Sequence, residues 1–471
     1  MKNIRILCLL LSLLTALQLT VPAVFAAEAD SSVSSGSHSV DAVKPLMNGD
    51  KLLETAKAVF LYERNSDTLV YAYHADDVID PAGMPKLMTA LLALENGNLS
   101  DTVTVTKTAL EQVAIGSVSA GLARGEELTL EDLLYLLILK SANDAAPVIA
   151  EHIAGSHQDF VDMMNRRAQE LGCTNTVFTN AHGLPDENSG TTARDLCRIL
   201  DAALDNEEFR KLFTAVSYTV PATNKSEERK IQTSNLMALE SNKSYYDSRV
   251  TGGKTGATKD GRCLALTAEG SGMELISIVM GAVPTYEVEN IVIKTYGSFE
   301  ETKVLLDHCL SQFEYRQIFY PNQAVTQYPV TEGANDVVVS PDREMSAVLP
   351  VNLDLQQLSW RYGTVAGDLK APIDAGQVLS SLQVWYGDTC VAQTELVAMY
   401  DVPVWEEPAG SHIATNPEEP GGSAALKVVG IIFGVLVGTV VIWVAVNAIR
   451  RAMVRSRRKR RRKEQRRRGN A

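Results

Sequence analysis

Cysteine is scarce in this chain, with six residues among 471. So few cysteines exclude a disulfide scaffold, and an apolar content of 45% excludes collagen-like and globally disordered chains. The cysteines form no CxxC pair and no histidine cluster is present, so the sequence implies no metal site, no redox dithiol and no cofactor. Five cysteines follow residue 26, an odd number that leaves at least one thiol unpaired, and most are expected to be buried apolar side chains.

Basic residues are also few over most of the chain. Residues 27–449 carry 29 of them against 56 acidic residues, a charge of −27, although the whole chain has −13. Nucleic-acid binding needs a basic face, so nucleic acid is excluded as a partner of this stretch. Positive charge is concentrated at the ends: residues 450–471 hold 13 basic residues and one acid, and residues 1–26 hold two basic residues.

Two apolar segments predict a topology. Residues 1–26 have a basic start, an apolar run and a small-residue exit at Ala26, which is typical of a secretory signal peptide rather than an uncleaved anchor. Residues 428–449 are 22 residues without a charge, enough to cross a bilayer core of about 30 Å, and too long for a typical buried core helix. The basic tail 450–471 follows directly and predicts a cytoplasmic C-terminus, with the acidic body on the outer face of the cell membrane.

The exported part divides into two regions between two flexible segments. Residues 27–45 predict a flexible leader and residues 404–427 a linker rich in Pro, Gly and Glu. Residues 46–295 alternate strand-like and helix-like runs, which predicts an α/β domain with a mixed sheet. Residues 314–403 contain short strand patterns without a helical period, which predicts a small all-β C-terminal module.

Local signals place several elements in the α/β domain. Residues 56–62 and 68–73 predict a hairpin, as do residues 262–267 and 275–280 around the Gly270–Gly272 turn. Thr129 and Asp132 resemble a capping box at the start of a helix. Strands at both ends with helices between them predict a sheet that joins the two ends of the domain.

Three short motifs contain the candidate chemistry. They are DPAGMPKLMTA around Lys86 at a helix start, SAND at residues 141–144 between two helical runs, and TGGKTGA at residues 251–257, placed just ahead of a strand. Each motif is weak alone, because KTG is three common residues and Ser-Ala-Asn could simply begin a helix. Their order is informative: SxxK, SxN and KTG are the active-site motifs of penicillin-recognising serine acyl enzymes.

The stretch 46–295 resembles the low-molecular-mass D-alanyl-D-alanine carboxypeptidases among the penicillin-binding proteins. The resemblance extends over DPAGMPKLMTALLALE, LTLEDLLYLLILKSANDAAPVIAEHIAG and TGGKTGATKDGRCLALTA, and the β-rich module and membrane-bound C-terminus also fit this family. It implies a β-lactamase/transpeptidase-like fold. It also implies hydrolysis of peptidoglycan stem peptides that end in D-Ala-D-Ala; it implies nothing about the oligomeric state.

The resemblance assigns roles to site residues. Lys86 matches the base that activates the serine nucleophile, and Ser141 matches the hydroxyl that relays a proton to the leaving amine. Asn143 would hold the substrate amide, while Lys254 and Thr255 would bind the terminal carboxylate. Gly256 would let the substrate backbone approach closely. The oxyanion hole would use backbone N–H groups at position 83 and near Ala257.

The chain departs from the family pattern at the nucleophile itself. The pattern reads Pro-Ala-Ser-x-x-Lys, whereas this chain has Gly83 in the serine position. Glycine has no side-chain atom that can attack a carbonyl, so no acyl-enzyme can form at this residue. Thr89 lies six residues further on and on another helix face, so it is no substitute.

Several interpretations of this departure remain open. The chain could be a catalytically inactive relative that binds stem peptides, or a weak hydrolase in which Lys86 activates water. The loss of a serine nucleophile typically costs several orders of magnitude in rate, which disfavours the second. It could also be a cell-wall scaffold that kept the fold, or an active enzyme that carries one substitution.

Overall fold

The computed structural model describes residues 45–47, 51–258, 261–288, 292–365 and 367–406. The predicted signal peptide, membrane span and basic tail lie outside these residues, as do most of the leader and the linker. Within the described ranges, no helix has the length and apolar character that crossing a membrane requires.

The described strands are numbered in chain order. They are β1 Ala58–Glu63, β2 Thr68–Tyr73, β3 Thr102–Thr104, β4 Glu127–Thr129, β5 Ser217–Val220, β6 Arg229–Gln232, β7 Val250–Thr258, β8 Gly261–Gly270, β9 Met273–Ala282, β10 Thr285–Val288, β11 Val292–Thr295, β12 Phe313–Phe319, β13 Thr326–Tyr328, β14 Val337–Pro341, β15 Met345–Pro350, β16 Ser359–Tyr362, β17 Val378–Tyr386 and β18 Thr389–Ala398.

The helices are numbered in the same way. They are α1 Pro85–Asn96, α2 Lys107–Glu111, α3 Leu130–Ile138, α4 Ala145–Ala154, α5 His157–Glu170, α6 Ala193–Leu204, α7 Glu207–Thr214 and α8 Gly297–Gln312.

The main sheet is antiparallel and has the strand order β2-β1-β9-β8-β7. Both predicted hairpins are confirmed, and β1 pairs with β9, so the sheet does join the two ends of the domain. The sheet is buried on both faces because side chains alternate along each strand: Phe60 points into a core with α1, while Val59 and Leu61 point into a second core with α8. β7 is the last strand of this order, at the edge of the sheet.

Helices α1 to α7 lie between β2 and β7 in sequence, and α8 follows β11. The predicted capping box is confirmed: the Thr129 side chain accepts from the backbone N–H of Asp132, and the Asp132 carboxylate accepts from Thr129. α3 ends at Ile138 and α4 begins at Ala145, so the second motif occupies the connection between two packed helices.

Residues 313–406 form the predicted all-β module. Five strands have the order β13-β14-β18-β17-β16, and β12 pairs with β15. Apolar side chains such as Val339, Leu382 and Leu396 fill its core. Within its described residues, the only helical segment is the 3₁₀ turn Leu355–Gln357. The architecture is therefore an α/β domain followed by a β module, as expected, but the predicted mixed sheet was wrong, because all strand pairs of the main sheet are antiparallel.

One local expectation was wrong. The KTG motif was placed just ahead of a strand, but Lys254, Thr255 and Gly256 lie inside β7 and pair with Ala265, Leu264 and Cys263 of β8. Six glycine and threonine residues concealed this strand, because they lack the apolar alternation by which strands are recognised.

Candidate active site

The first motif forms the tight entry into helix α1. Ala82 is buried with a φ of +52°, and Pro85 is the first helical residue, where its missing N–H costs nothing. Nine successive residues from Pro85 to Ala93 are buried, so this helix is enclosed on all sides. Lys86 is consequently fully buried beneath the motif.

Buried polar partners hold the amine of Lys86. Its Nζ donates to Asn143 Oδ1 at 2.7 Å and to the backbone carbonyl of His182 in a short hydrogen bond. Burial lowers the pKa of Lys86 well below its usual 10.5, and the nearby charge of Lys254 lowers this pKa further. The site therefore favours the neutral amine, which is the form that can act as a base.

The second motif lies where the chain turns from α3 into α4. Ser141 has a φ of +57°, a left-handed conformation that is uncommon for a residue with a side chain. Asn143 is buried, and its N–H donates to Val118 O at 2.8 Å. The carboxylate of Asp144 accepts from Ser119 Oγ and from two backbone N–H groups, so it fixes the adjacent loop.

The third motif presents Lys254 and Thr255 from β7. Lys254 is 0% exposed, and its Nζ donates to Ser141 Oγ at 2.7 Å and to Thr255 O at 2.5 Å. Burial lowers its pKa from 10.5 to about 7. Thr255 Oγ1 lies 2.6 Å from Ser234 Oγ, so two hydroxyls stand together at the half-buried rim of the site.

Gly83 lies where the three motifs meet. A Cβ placed on Gly83 would lie 3.3 Å from Thr255 O, 3.5 Å from Ser141 Oγ and 3.6 Å from Gly256 Cα. All six predicted site residues therefore lie around one point: Lys86, Ser141, Asn143, Lys254, Thr255 and Gly256. Thr89 is directed elsewhere, because its hydroxyl donates to the carbonyls of Pro85 and Ala181.

Position 256 requires glycine because the backbone of β7 lies very close to the first motif there. A Cβ at this position would lie 2.8 Å from Gly83 N and 2.9 Å from Ala82 Cβ. The backbone of β7 therefore passes directly beside the N–H of Gly83, which is where the predicted oxyanion hole needs two adjacent donors.

Sequence reasoning missed two contributors to the site. His182 shapes its own loop, where its Nδ1 accepts from Leu184 N and its Nε2 contacts Gln112 O. Burial lowers the pKa of His182 to about 4, so its ring stays neutral. Its carbonyl contact with Lys86 was not foreseen, nor was the contact of Ser234 with Thr255, since neither residue belongs to a recognisable motif.

The remaining candidates have structural roles. Tyr245 packs with Tyr296 and Phe299, which agrees with core packing rather than a substrate groove. The five described cysteines are unpaired; four are buried and Cys390 is exposed. Most of them therefore are the buried apolar side chains that the sequence predicted.

Gly183 provides a test of how tightly the first motif is held. Its φ is +75°, and a Cβ there would lie 1.9 Å from Ala82 O. We expect Gly183→Ala to lower the free energy of unfolding by about 3 kcal/mol or more. The left-handed backbone strain of an alanine and the clash of its Cβ with Ala82 both contribute to this loss. The measurement is urea-induced unfolding of the purified full-length protein.

Gly155→Ala is the matched control for this prediction. Gly155 has a φ of +82° with no atom within 4 Å of an added Cβ, so the substitution introduces strain without a clash. We expect a loss of about 1–2 kcal/mol. Equal losses in the two variants would show that the contact between residue 183 and Ala82 is not tight.

The fold and the site define a class of protein. An antiparallel sheet with a lysine at a helix start, a Ser-x-Asn connection and a Lys-Thr-Gly edge strand, all meeting at one point, is the arrangement of penicillin-recognising serine enzymes. Residues 48–284 match the family described as D-alanyl-D-alanine carboxypeptidase, and residues 313–404 match the C-terminal domain of penicillin-binding protein 5. The chain belongs to the D-alanyl-D-alanine carboxypeptidase family.

Individual relatives agree with this assignment. The D-alanyl-D-alanine carboxypeptidase DacF of Bacillus subtilis is 28% identical over 358 residues, which are 75% of this chain and 87% of DacF. A D-alanyl-D-alanine carboxypeptidase of a Streptomyces species is 30% identical over 257 residues, covering 52% of this chain and 88% of the relative. The crystal structure of penicillin binding protein 5 from Haemophilus influenzae superposes with a TM-score of 0.61 at 29% identity, covering 74% of this chain and 98% of that one.

Proposed function

We propose that this chain is a D-alanyl-D-alanine carboxypeptidase-like protein that binds peptidoglycan stem peptides ending in D-Ala-D-Ala. The observation that carries the proposal is the convergence of Lys86, Asn143 and Lys254 around Gly83. Burial of two lysines with lowered pKa values costs folding free energy, and such perturbed groups cluster at functional sites, which supports a working ligand site.

The geometry supports one orientation of the peptide. Its terminal carboxylate is bound by the protonated Lys254 amine and the Thr255 hydroxyl, with Ser234 beside them. Asn143 holds a peptide amide. The peptide backbone runs along β7, because that strand lies at the edge of the sheet and an extended peptide can add to it.

Gly83 favours a second candidate function, which is binding without turnover. In this reading Lys86 retains the position and neutral state of a base, but position 83 offers it no hydroxyl. A catalytically inactive peptidoglycan-binding pseudoenzyme, or a membrane-anchored cell-wall scaffold, would then hold stem peptides without cleaving them. Both candidates require peptide binding, and they differ in the fate of the bound peptide.

We also propose a topology and domain division. Residues 1–26 serve as a signal peptide, 27–45 as a leader, 46–295 as the peptide-binding domain, 314–403 as the β module, 404–427 as a linker, 428–449 as a membrane span and 450–471 as a cytoplasmic tail. The segmental charges support this order, since the acidic part is exported and the basic tail is retained. Protease digestion of intact cells tests this topology. The protease should remove the exported residues 27–427 and leave the cytoplasmic tail 450–471 protected.

Thr255→Val tests the binding site. We expect the affinity for a D-Ala-D-Ala peptide to fall about 10- to 100-fold, because a hydrogen bond to a charged carboxylate contributes about 1.5–3 kcal/mol. The measurement is isothermal titration calorimetry on the full-length protein.

Thr104→Val is the matched control for this test. Thr104 is an exposed strand residue of β3 outside the three motifs, so its replacement should leave the peptide affinity unchanged. Absence of any peptide binding by the unaltered protein would overturn the proposed function and both of these candidates.

A further inference from the structure

The hydroxyl of Ser141 faces the same point as Gly83. Its Oγ lies 3.5 Å from the position of a Cβ on Gly83, and it accepts a 2.7 Å hydrogen bond from Lys254 Nζ. A serine hydroxyl beside a desolvated lysine amine is the pair that activates serine nucleophiles. A second Ser–Lys pair therefore exists in this site, apart from the position that lacks its serine.

We propose that Ser141 is a nucleophile of this chain, that Lys254 is its base, and that Ser141 acylates slowly with β-lactams and with D-Ala-D-Ala peptides. This proposal rests on the proposed function, because the ligand must first be held in the site. It concerns a different residue from the family's nucleophile position.

The placement of Ser141 fits this role. The residue is half-buried, and the two residues that follow it are fixed by backbone hydrogen bonds: Ala142 N donates to Leu136 O and Asn143 N donates to Val118 O. The glycine at position 83 contributes directly, because a side chain there would stand between Ser141 Oγ and a bound carbonyl. The N–H of Gly83 remains available to stabilise the oxyanion.

The covalent step is balanced within the site. Neutral Lys254 accepts the Ser141 hydroxyl proton while Oγ attacks the carbonyl carbon between the two D-alanines. The C–N bond breaks, and the leaving amine takes the proton from Lys254, which leaves an ester on Ser141. Water then attacks the ester, Lys254 relays its proton, and Oγ is released. With a β-lactam the ring nitrogen takes the place of the leaving amine.

Lys254 limits the rate of this route. It must be charged to attract the carboxylate and neutral to accept the proton, so we expect acylation about 10³-fold slower than that of a Gly83→Ser variant. Because a bound carboxylate holds Lys254 in its charged form, the acylation rate at saturating β-lactam should rise with pH at values above the free-site pKa of about 7. Lys86 is the titratable group that interacts with Lys254, and Asp144 and His182 in turn interact with Lys86.

Mass spectrometry of the full-length protein after hours with benzylpenicillin tests the proposal. Trypsin separates the two positions, because one peptide spans residues 141–166 and another spans residues 65–86. We expect the adduct on 141–166, with fragmentation placing it on Ser141 rather than Ser156. An adduct confined to another peptide, or none after 10⁴ times the labelling time of Gly83→Ser, would overturn it.

Ser141→Gly is the key variant, because glycine adopts the left-handed conformation freely and lacks the hydroxyl. We expect it to abolish the adduct while the D-Ala-D-Ala peptide still binds in calorimetry. An adduct that persists in this variant refutes the role of Ser141. Peptide binding without any adduct at Ser141 in the unaltered protein refutes this inference alone, whereas loss of both would refute the proposed function as well.

Discussion

Gly83→Ser should restore rapid covalent labelling by a fluorescent β-lactam, at least about 10³-fold faster than that of the unaltered protein. The expected size follows from serine hydrolases, in which loss of the nucleophile removes about 10⁶ of the rate. The backbone at Gly83 is not left-handed, and the nearest atom to an added Cβ is Thr255 O at 3.3 Å, so a serine fits with a small shift. Labelling is followed over minutes by gel fluorescence.

Gly83→Ala is the matched control, because it adds the same Cβ without a hydroxyl. We expect this variant to show no rapid labelling. Labelling of the unaltered protein as fast as that of Gly83→Ser would show that position 83 does not limit acylation. No rapid labelling of a folded Gly83→Ser variant would show that Lys86, Asn143 and Lys254 are not arranged for catalysis.

The elements with strong local signals could be predicted from the sequence. The hairpins around Asp67 and Gly272 have strand-forming flanks, and the helix at Leu130 has a capping box, so neighbouring residues fix these structures. Six residues of the candidate site could also be predicted. Three motifs in a fixed order identified them, and the fold brings all six together.

The contacts within the site could not be predicted in the same way. Lys86 donates to a backbone carbonyl at His182, and any residue type can supply a carbonyl there. Gly183 lies against Ala82 across about a hundred residues of chain, so only the tertiary fold shows why it must be glycine. Ser234 follows a hairpin without a motif, and only its distance to Thr255 reveals it.

Lys254 links the two halves of the proposed chemistry. Its amine donates to the hydroxyl of Ser141 and to the backbone carbonyl of Thr255, and burial lowers its pKa to about 7. A group with such a pKa can be charged for binding and neutral for proton transfer within the same pH range. Binding and acylation should therefore respond to pH in opposite directions.

The affinity for a D-Ala-D-Ala peptide should fall about 100-fold between pH 6 and pH 9. Above its pKa of about 7, Lys254 is mainly neutral in the free site, whereas the bound carboxylate requires the ammonium form. Each further pH unit therefore lowers the affinity about tenfold. The ring of His182 stays neutral over this range, because its pKa is about 4. Calorimetry across this range measures the fall, and the uptake of about one proton at pH 9 should accompany binding.

Lys254→Met separates this linkage from other effects of pH. We expect weak binding that no longer changes between pH 6 and pH 9. The pKa of Lys254 in the folded protein lies below the usual 10.5, so the unfolded chain binds more protons between about pH 7 and pH 10.5. The free energy of unfolding of the unaltered protein should therefore rise with pH across that window. The variant should show a smaller rise, because only Lys86 still contributes to it, and it should unfold at a higher urea concentration at pH 6, because an apolar side chain replaces a buried charge. Binding by the unaltered protein that is constant from pH 6 to pH 9 would mean that Lys254 does not hold the carboxylate.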